Sequence, residues 1–199
     1  MRAARRTVAV LVAVAGLLAT GTLTGCAEPD GGARPLEITQ GRACQAVEFD
    51  TVEAVLGIRF DTSAPAAVEE TYSCVLTRSD APLPDLTFTM SATTADELIF
   101  TAIVTPSLAT SVPDLGRIAY QVTLPPGTAA DGTPTGPALE IGWLSAAPRL
   151  MLMRYTWPPN ATDADVAELA PRLVELAQGI ERAVTTGPTI APPDIGKAA

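Results

Sequence analysis

Apolar positions along this chain repeat with two different periods, and the switch between them lays out the fold. In the last third, Val166, Leu169, Ala170, Leu173, Ala177 and Ile180, followed by Val184, fall on one helical stripe. This helix is predicted to start at Thr162 or Asp163 and to run to Val184. Pro171 lies inside it and cannot bond the Ala167 carbonyl, so a kink or a break into two segments is expected. Two shorter helices are marked by their start signals. Asp50-Thr51-Val52-Glu53 reads as a capping box with Asp50 at the N-cap, and Gly57 stands where a left-handed residue would end a short helix. Thr94-Ala95-Asp96-Glu97 repeats the device, with Leu98, Ile99, Ala102 and Ile103 as the buried stripe and Pro106 as the stop.

Elsewhere the period is two. Leu86, Phe88 and Met90 alternate with threonine and serine, and Ile118, Tyr120, Val122 and Leu124 alternate with Arg117, Ala119, Gln121 and Thr123. Residues 72–78, 138–145 and 149–157 add three more strands, the last two joined by Ala146-Ala147-Pro148 as a hairpin. In the segment from Arg149 to Trp157 both faces are largely apolar, which predicts a central strand. Glu69-Glu70 reads as a solvated loop. Helix, strands, helix, strands, helix is the order of an α+β single domain, a largely antiparallel sheet covered by helices.

The two ends do not follow either period. Arg2, Arg5 and Arg6 precede an apolar run from Thr7 to Leu18, which reads as an export signal too short and too rich in Ala and Gly for a comfortable membrane span. Thr7-Val8-Ala9 lacks the large apolar residue expected after a twin-arginine pair, so Sec export is the expectation. Leu23-Thr24-Gly25-Cys26 resembles the lipobox of bacterial lipoproteins. That resemblance implies cleavage before Cys26 and a diacylglycerol on its thiol. At about 0.8 kcal/mol per buried methylene, two or more acyl chains make a lasting anchor. The chain therefore divides into a signal peptide (1–25), a lipidated flexible tether (26–42) with a reach of roughly 20 to 25 Å, the α+β domain (43–184) and a disordered tail (185–199).

Losing residues 1–25 removes three arginines and no acid, which moves the formal charge from −9 to −12. Such a chain repels nucleic acid and anionic headgroups, so the expected membrane contact is the lipid on Cys26. With Cys26 assigned to lipid, Cys44 and Cys74 remain as one disulfide pair. A metal or redox pair is disfavoured, since the sequence has no histidine and no CxxC spacing.

The missing histidine also removes Ser-His-Asp and Cys-His catalysis, and Lys197, the only lysine, sits in the tail. No phosphate-binding glycine loop and no GxSxG elbow is present. Carboxylates remain. Three acidic clusters, around Asp50, Asp96 and Asp163, fall at expected helix starts, where negative charge caps free amides. Asp163, Asp165 and Glu168 are accordingly read as serving a helix, not a calcium ion or an acid–base pair. Met151, Met153, Tyr155 and Trp157 share one face of their strand, with Trp143 on the neighbouring one. These five are candidate ligand-lining residues, or core beneath a helix. Arg154 could meet an anionic ligand, although a salt bridge to a helix carboxylate is the plainer use. Asn160-Ala161-Thr162 matches a glycosylation sequon but reads here as a loop leading to a helix cap.

Cys44 near the start of a short helix ending in Leu56-Gly57, Cys74 on a strand, Leu115-Gly116-Arg117-Ile118-Ala119-Tyr120 and a C-terminal amphipathic helix together resemble the actinobacterial envelope lipoproteins of a domain-of-unknown-function family. The chain departs from that pattern in Arg42-Ala43 before the first cysteine, where relatives have Asp-Pro, and in Val75-Leu76 after the second, where they have a Trp. The expectation is a non-enzymatic binding or accessory module without a cofactor. It would be lipid-anchored on the extracytoplasmic face of the cell membrane and would contact an envelope protein or peptide. The alternative is a carrier or sensor of a small apolar ligand. A two-carboxylate hydrolase would need a pair of acids in one cleft.

Overall fold

The structure is a computed structural model that describes residues 42–186. The expected signal peptide, Cys26 and nearly all of the expected tether and tail lie outside the described residues. Arg42, assigned to the tether, opens the first helix, and Thr185 and Thr186, assigned to the tail, close the last. Among the described residues no helix is long and apolar enough to cross a membrane.

A short helix α1 (Arg42–Gln45) leads into α2 (Phe49–Leu56). Strands β1 (Thr62–Val68), β2 (Thr71–Arg78) and β3 (Ala81–Ala92) follow as a meander, turning first at Glu69-Glu70. A single turn α3 (Glu97–Ile99) passes into a π-helical turn at Phe100–Val104. Next come β4 (Thr110–Ser111), β5 (Ile118–Leu124), the small hairpin β6 (Gly127–Thr128) and β7 (Pro134–Thr135), then β8 (Ala138–Leu144) and β9 (Arg149–Thr156). Helix α4 (Asp163–Thr186) ends the described chain. The main sheet has seven strands in the order β1-β2-β3-β9-β8-β5-β4, every pair antiparallel. β9 is the middle strand, as its two apolar faces required. Both edges are blunted: β4 has two residues, and β1 carries Pro65, which has no N–H to offer a further strand.

The amphipathic stripe of α4 lies on the face of Leu86, Phe88, Met90, Ile141, Met151 and Met153, and α2 joins it through Val52 and Leu56. Each large side chain buried there contributes roughly 1.5 to 3 kcal/mol before the entropy of ordering is subtracted. The disulfide Cys44–Cys74 (S–S 2.05 Å, Cα–Cα 5.0 Å) ties α1 to β2 beside this core. Arg172 of α4 reaches the Leu56 carbonyl at the end of α2 (3.4 Å), and Gly57 takes the left-handed conformation (φ 71°) that its cap position requires.

Three local expectations are corrected. Helix α2 begins one residue before the anticipated cap: Phe49 packs against the core, so Asp50 enters the first turn and no side chain caps the helix. At the second start the cap is Asp96, whose carboxylate accepts the Ile99 N–H at 2.9 Å. The stripe expected there is turned outward. Leu98 and Ile103 are each 78% exposed, because the π turn rotates the segment and Phe100 takes the inward place against Tyr120 (ring centroids 5.8 Å). Finally, of the kink or break expected at Pro171, the break does not occur: α4 is one helical element. The proline and Ala167 both face solvent, so water can bond the released carbonyl while Leu169 and Leu173 hold both sides to the sheet.

Candidate functional site

The Met and aromatic stripe is core. Trp143, Met151, Met153, Tyr155 and Trp157 are all 5% exposed or less and lie beneath α4. Trp143 stacks on Phe88 (centroids 6.2 Å), and Tyr155 meets Trp157 edge to face (4.5 Å). The expected acidic cap is present at α4. Asp165 accepts both the backbone N–H and the hydroxyl of Thr162 at 2.7 Å, while Thr162 receives the Asp165 N–H at 3.4 Å. These bonds hold the Asp165 carboxyl below the usual carboxylate range. Among the described residues no group of three Cys, Asp or Glu is arranged to hold a metal ion.

Chemistry gathers on the other face of the sheet. Its floor follows from alternation: if Leu86, Phe88, Met153 and Tyr155 point to the helices, then Asp85, Thr87, Arg154, Thr156 and Glu140 point away. Register places Thr87, Arg154 and Glu140 side by side on β3, β9 and β8, with Asp85 next to Thr156 one step along. One side of this floor is walled by Pro125 and the hairpin β6–β7, enclosing an open cleft of about 460 Å³. The wall is pinned to the end of β9. Gly136 donates its N–H to the Trp157 carbonyl (2.9 Å), and Trp157 donates to that of Pro137 (3.0 Å). A Cβ on Gly136 would stand 2.1 Å from the Pro158 carbonyl oxygen, so only glycine permits this approach.

Two of the three charged side chains are held in place. Glu140 accepts the Tyr120 hydroxyl at 3.0 Å. Asp85 lies within long hydrogen-bond reach of the Thr156 and Thr87 hydroxyls, both at 3.4 Å. Arg154 is exposed and takes part in neither of the ion pairs Arg78–Asp80 and Arg117–Glu97 nor in any other seen among the described residues. The expected bridge from Arg154 to a helix carboxylate is therefore corrected. Arg154 alternates with Met153 and Tyr155 and so leaves the sheet on the face opposite α2 and α4. Asp85 and Glu140 were not singled out in the sequence. The alternation at Asp85-Thr87-Thr89 was a signal for one polar face, but only register brings Glu140 opposite Arg154.

Burial pushes the Asp85 carboxyl above the usual range, against the lowering effects of the two hydroxyls and the Arg154 charge. The folded state thus holds this proton more tightly than the unfolded chain. Its contribution to stability is complete below the unfolded value near 4 and is lost as pH rises through the folded value. Asp85→Asn, which mimics the protonated form, is expected to melt at a higher temperature than the parent at pH 7 and at the same temperature below about pH 4. Paired thermal melts at the two pH values check this. A variant less stable at pH 7 would mean that hydrogen bonding to the carboxylate outweighs its burial.

Two further clefts, of about 400 and 410 Å³, lie beside α1–α2 and beside the first turns of α4, and neither is lined by an arginine. Comparison with protein-family models, with curated proteins and with solved structures found no match to this chain.

Proposed function

We propose that the chain is an extracytoplasmic lipoprotein, held at the cell membrane by acylated Cys26, whose α+β domain is a non-enzymatic binding or accessory module for an envelope protein or peptide. The observation that carries the binding reading is the cleft beneath the β6–β7 hairpin. It offers an exposed guanidinium, two positioned carboxylates and several threonine hydroxyls on a rigid sheet. Rigid presentation of this kind limits the ordering cost of recognition. Asp85 and Glu140 lie two strands and one two-residue step apart, which separates their backbone positions by roughly 12 Å. The two carboxylates are held by separate partners, Glu140 by the Tyr120 hydroxyl and Asp85 by the Thr87 and Thr156 hydroxyls. The alternative, a carrier of a small apolar ligand, has less support, because the side chains that would line its cavity are packed together beneath α4.

The anchor is tested by Cys26→Ala. The parent is expected in the detergent phase after phase partitioning and the variant in the aqueous phase. A variant that is still cut after Gly25 and stays with the detergent would overturn the lipobox reading. The module is tested by co-purification from detergent-solubilised membranes with mass spectrometry of crosslinked peptides. Crosslinks from an envelope protein to the β6–β7 hairpin or β3 support it. A partner crosslinked only to other surfaces would remove the cleft as the binding surface.

A further inference from the structure

We propose that the cleft over β3, β9 and β8 binds a zwitterionic unit of the amino-acid or short-peptide class, with its carboxylate on Arg154 and its ammonium on one of the two flanking carboxylates, Asp85 or Glu140. The inference rests on the reading of this domain as a binding module and names the ligand that such a module takes. Its basis is the order of charge along the floor. Arg154 stands opposite Glu140 on one side, with Asp85 diagonally placed on the other, so negative, positive and negative groups follow one another from β3 to β8. Flanking carboxylates would ordinarily close on the guanidinium and silence it. Here Glu140 is engaged by the Tyr120 hydroxyl, and Asp85 is held toward Thr156 and Thr87. The planar fork of Arg154 is left to an outside carboxylate, which it can grip by two parallel hydrogen bonds.

Charge balance then selects the class. A purely anionic ligand, such as a phosphate, would meet two carboxylates for each guanidinium. A purely cationic one would have to accept Arg154 beside it. A zwitterion with its two charges a few bonds apart satisfies both signs at once. A sugar ring lacks a stacking surface, because no aromatic side chain lines the cleft and its apolar side chains are Leu152, Pro125 and Ala129. The volume, about 460 Å³, is that of a small-molecule site, and the open side leaves room for a longer peptide to continue.

The test uses the intact lipidated chain in detergent micelles and three pooled dipeptide libraries: unblocked, N-acetylated and C-amidated. Binding is read from backbone-amide shifts. The unblocked pool is expected to shift Asp85, Thr87 and Arg154 saturably at millimolar concentration. Loss of one charged hydrogen-bonding group should weaken binding roughly tenfold to a hundredfold, so both blocked pools are expected to bind at least about tenfold more weakly. Arg154→Gln should lose the response by a similar factor while amide shifts remote from the cleft stay unchanged, which establishes that the variant is folded. Equal binding of the N-acetylated and unblocked pools, an undiminished response in Arg154→Gln, or no saturable shift from any pool would each overturn the proposal. Should the peptides fail while an envelope protein still crosslinks to the hairpin, the ligand class is wrong and the module stands. Failure of both removes the module reading as well.

Discussion

Glu181→Ala is expected to lower the stability of the domain by roughly 3 to 5 kcal/mol, a melting-temperature loss on the order of 10 °C, although Glu181 lines none of the three clefts described above and touches none of the groups proposed for binding. Its carboxylate is buried (8% exposed) between α4 and the turn of the β8–β9 hairpin. One oxygen accepts the Trp143 indole N–H at 2.9 Å. The other accepts the Ser145 hydroxyl at 3.0 Å and the Ala146 N–H at 2.9 Å. Arg149, on the same hairpin, lies close enough to favour the negative charge. Alanine would leave three donors without acceptors, two of them on residues with no exposed surface, and an unmet buried donor costs about 1 to 3 kcal/mol. Glu181→Gln keeps the size and one acceptor but turns an N–H₂ toward another donor, so an intermediate loss is expected. Urea unfolding of parent, Gln and Ala variants measures the series. An Ala variant as stable as the parent would show that α4 is held by its apolar stripe alone.

Replacing Cys44 and Cys74 together by alanine is expected to cost about 3 to 4 kcal/mol. The bond closes a loop across 30 residues, and chain entropy in the unfolded state sets the scale. The folded state should lose order unevenly. Helix α1 has four residues, too few to persist as an isolated helix, and the bond is its covalent tie to β2. Amide exchange should accelerate first in residues 42–48 of the double variant, while β3, β8 and β9 retain the protection of the parent. Mass spectrometry of non-reduced peptides from exported protein should recover the pair joined. Free, alkylatable thiols in native material, or a double variant that unfolds at the parent's urea midpoint, would count against the staple.

Much of the architecture was legible because its causes are local. The stripe of α4 is written in side chains three and four residues apart, and Leu86, Phe88 and Met90 declare their strand by alternating with hydroxyls. Thr162 and Asp165 form their cap within one turn, and the disulfide followed from counting cysteines. Starts and short elements were less secure. Phe49 moved the start of α2 by one residue through a contact with the core, and the π turn put Phe100 inward where Leu98 and Ile103 were expected. At α2 the burial of a large side chain outweighed a cap worth about 1 kcal/mol, whereas at α3 a cap forms at Asp96 and the burial of Phe100 decided which side chains turn inward.

The sequence by itself therefore determined the α+β class, the antiparallel strands, the last helix and the cysteine pair, since each depends on neighbours or on a count. Tertiary structure alone decided which face of each strand the helices cover. Ile118, Tyr120 and Val122 alternate as regularly as Leu86, Phe88 and Met90, yet the two sets pack on opposite faces of one sheet. It also decided what Glu181 and Arg154 do. As sequence, Glu181 is a charged residue on an amphipathic helix, fit for solvent, and Arg154 is a charged residue on a strand with two largely apolar faces, fit for a salt bridge. The donors that bury Glu181 are 35 to 38 residues away, and the carboxylates around Arg154 come from β3 and β8 through strand register. Register is fixed by the packing of the whole sheet, because a slip of one residue would turn every side chain of a strand to the other face.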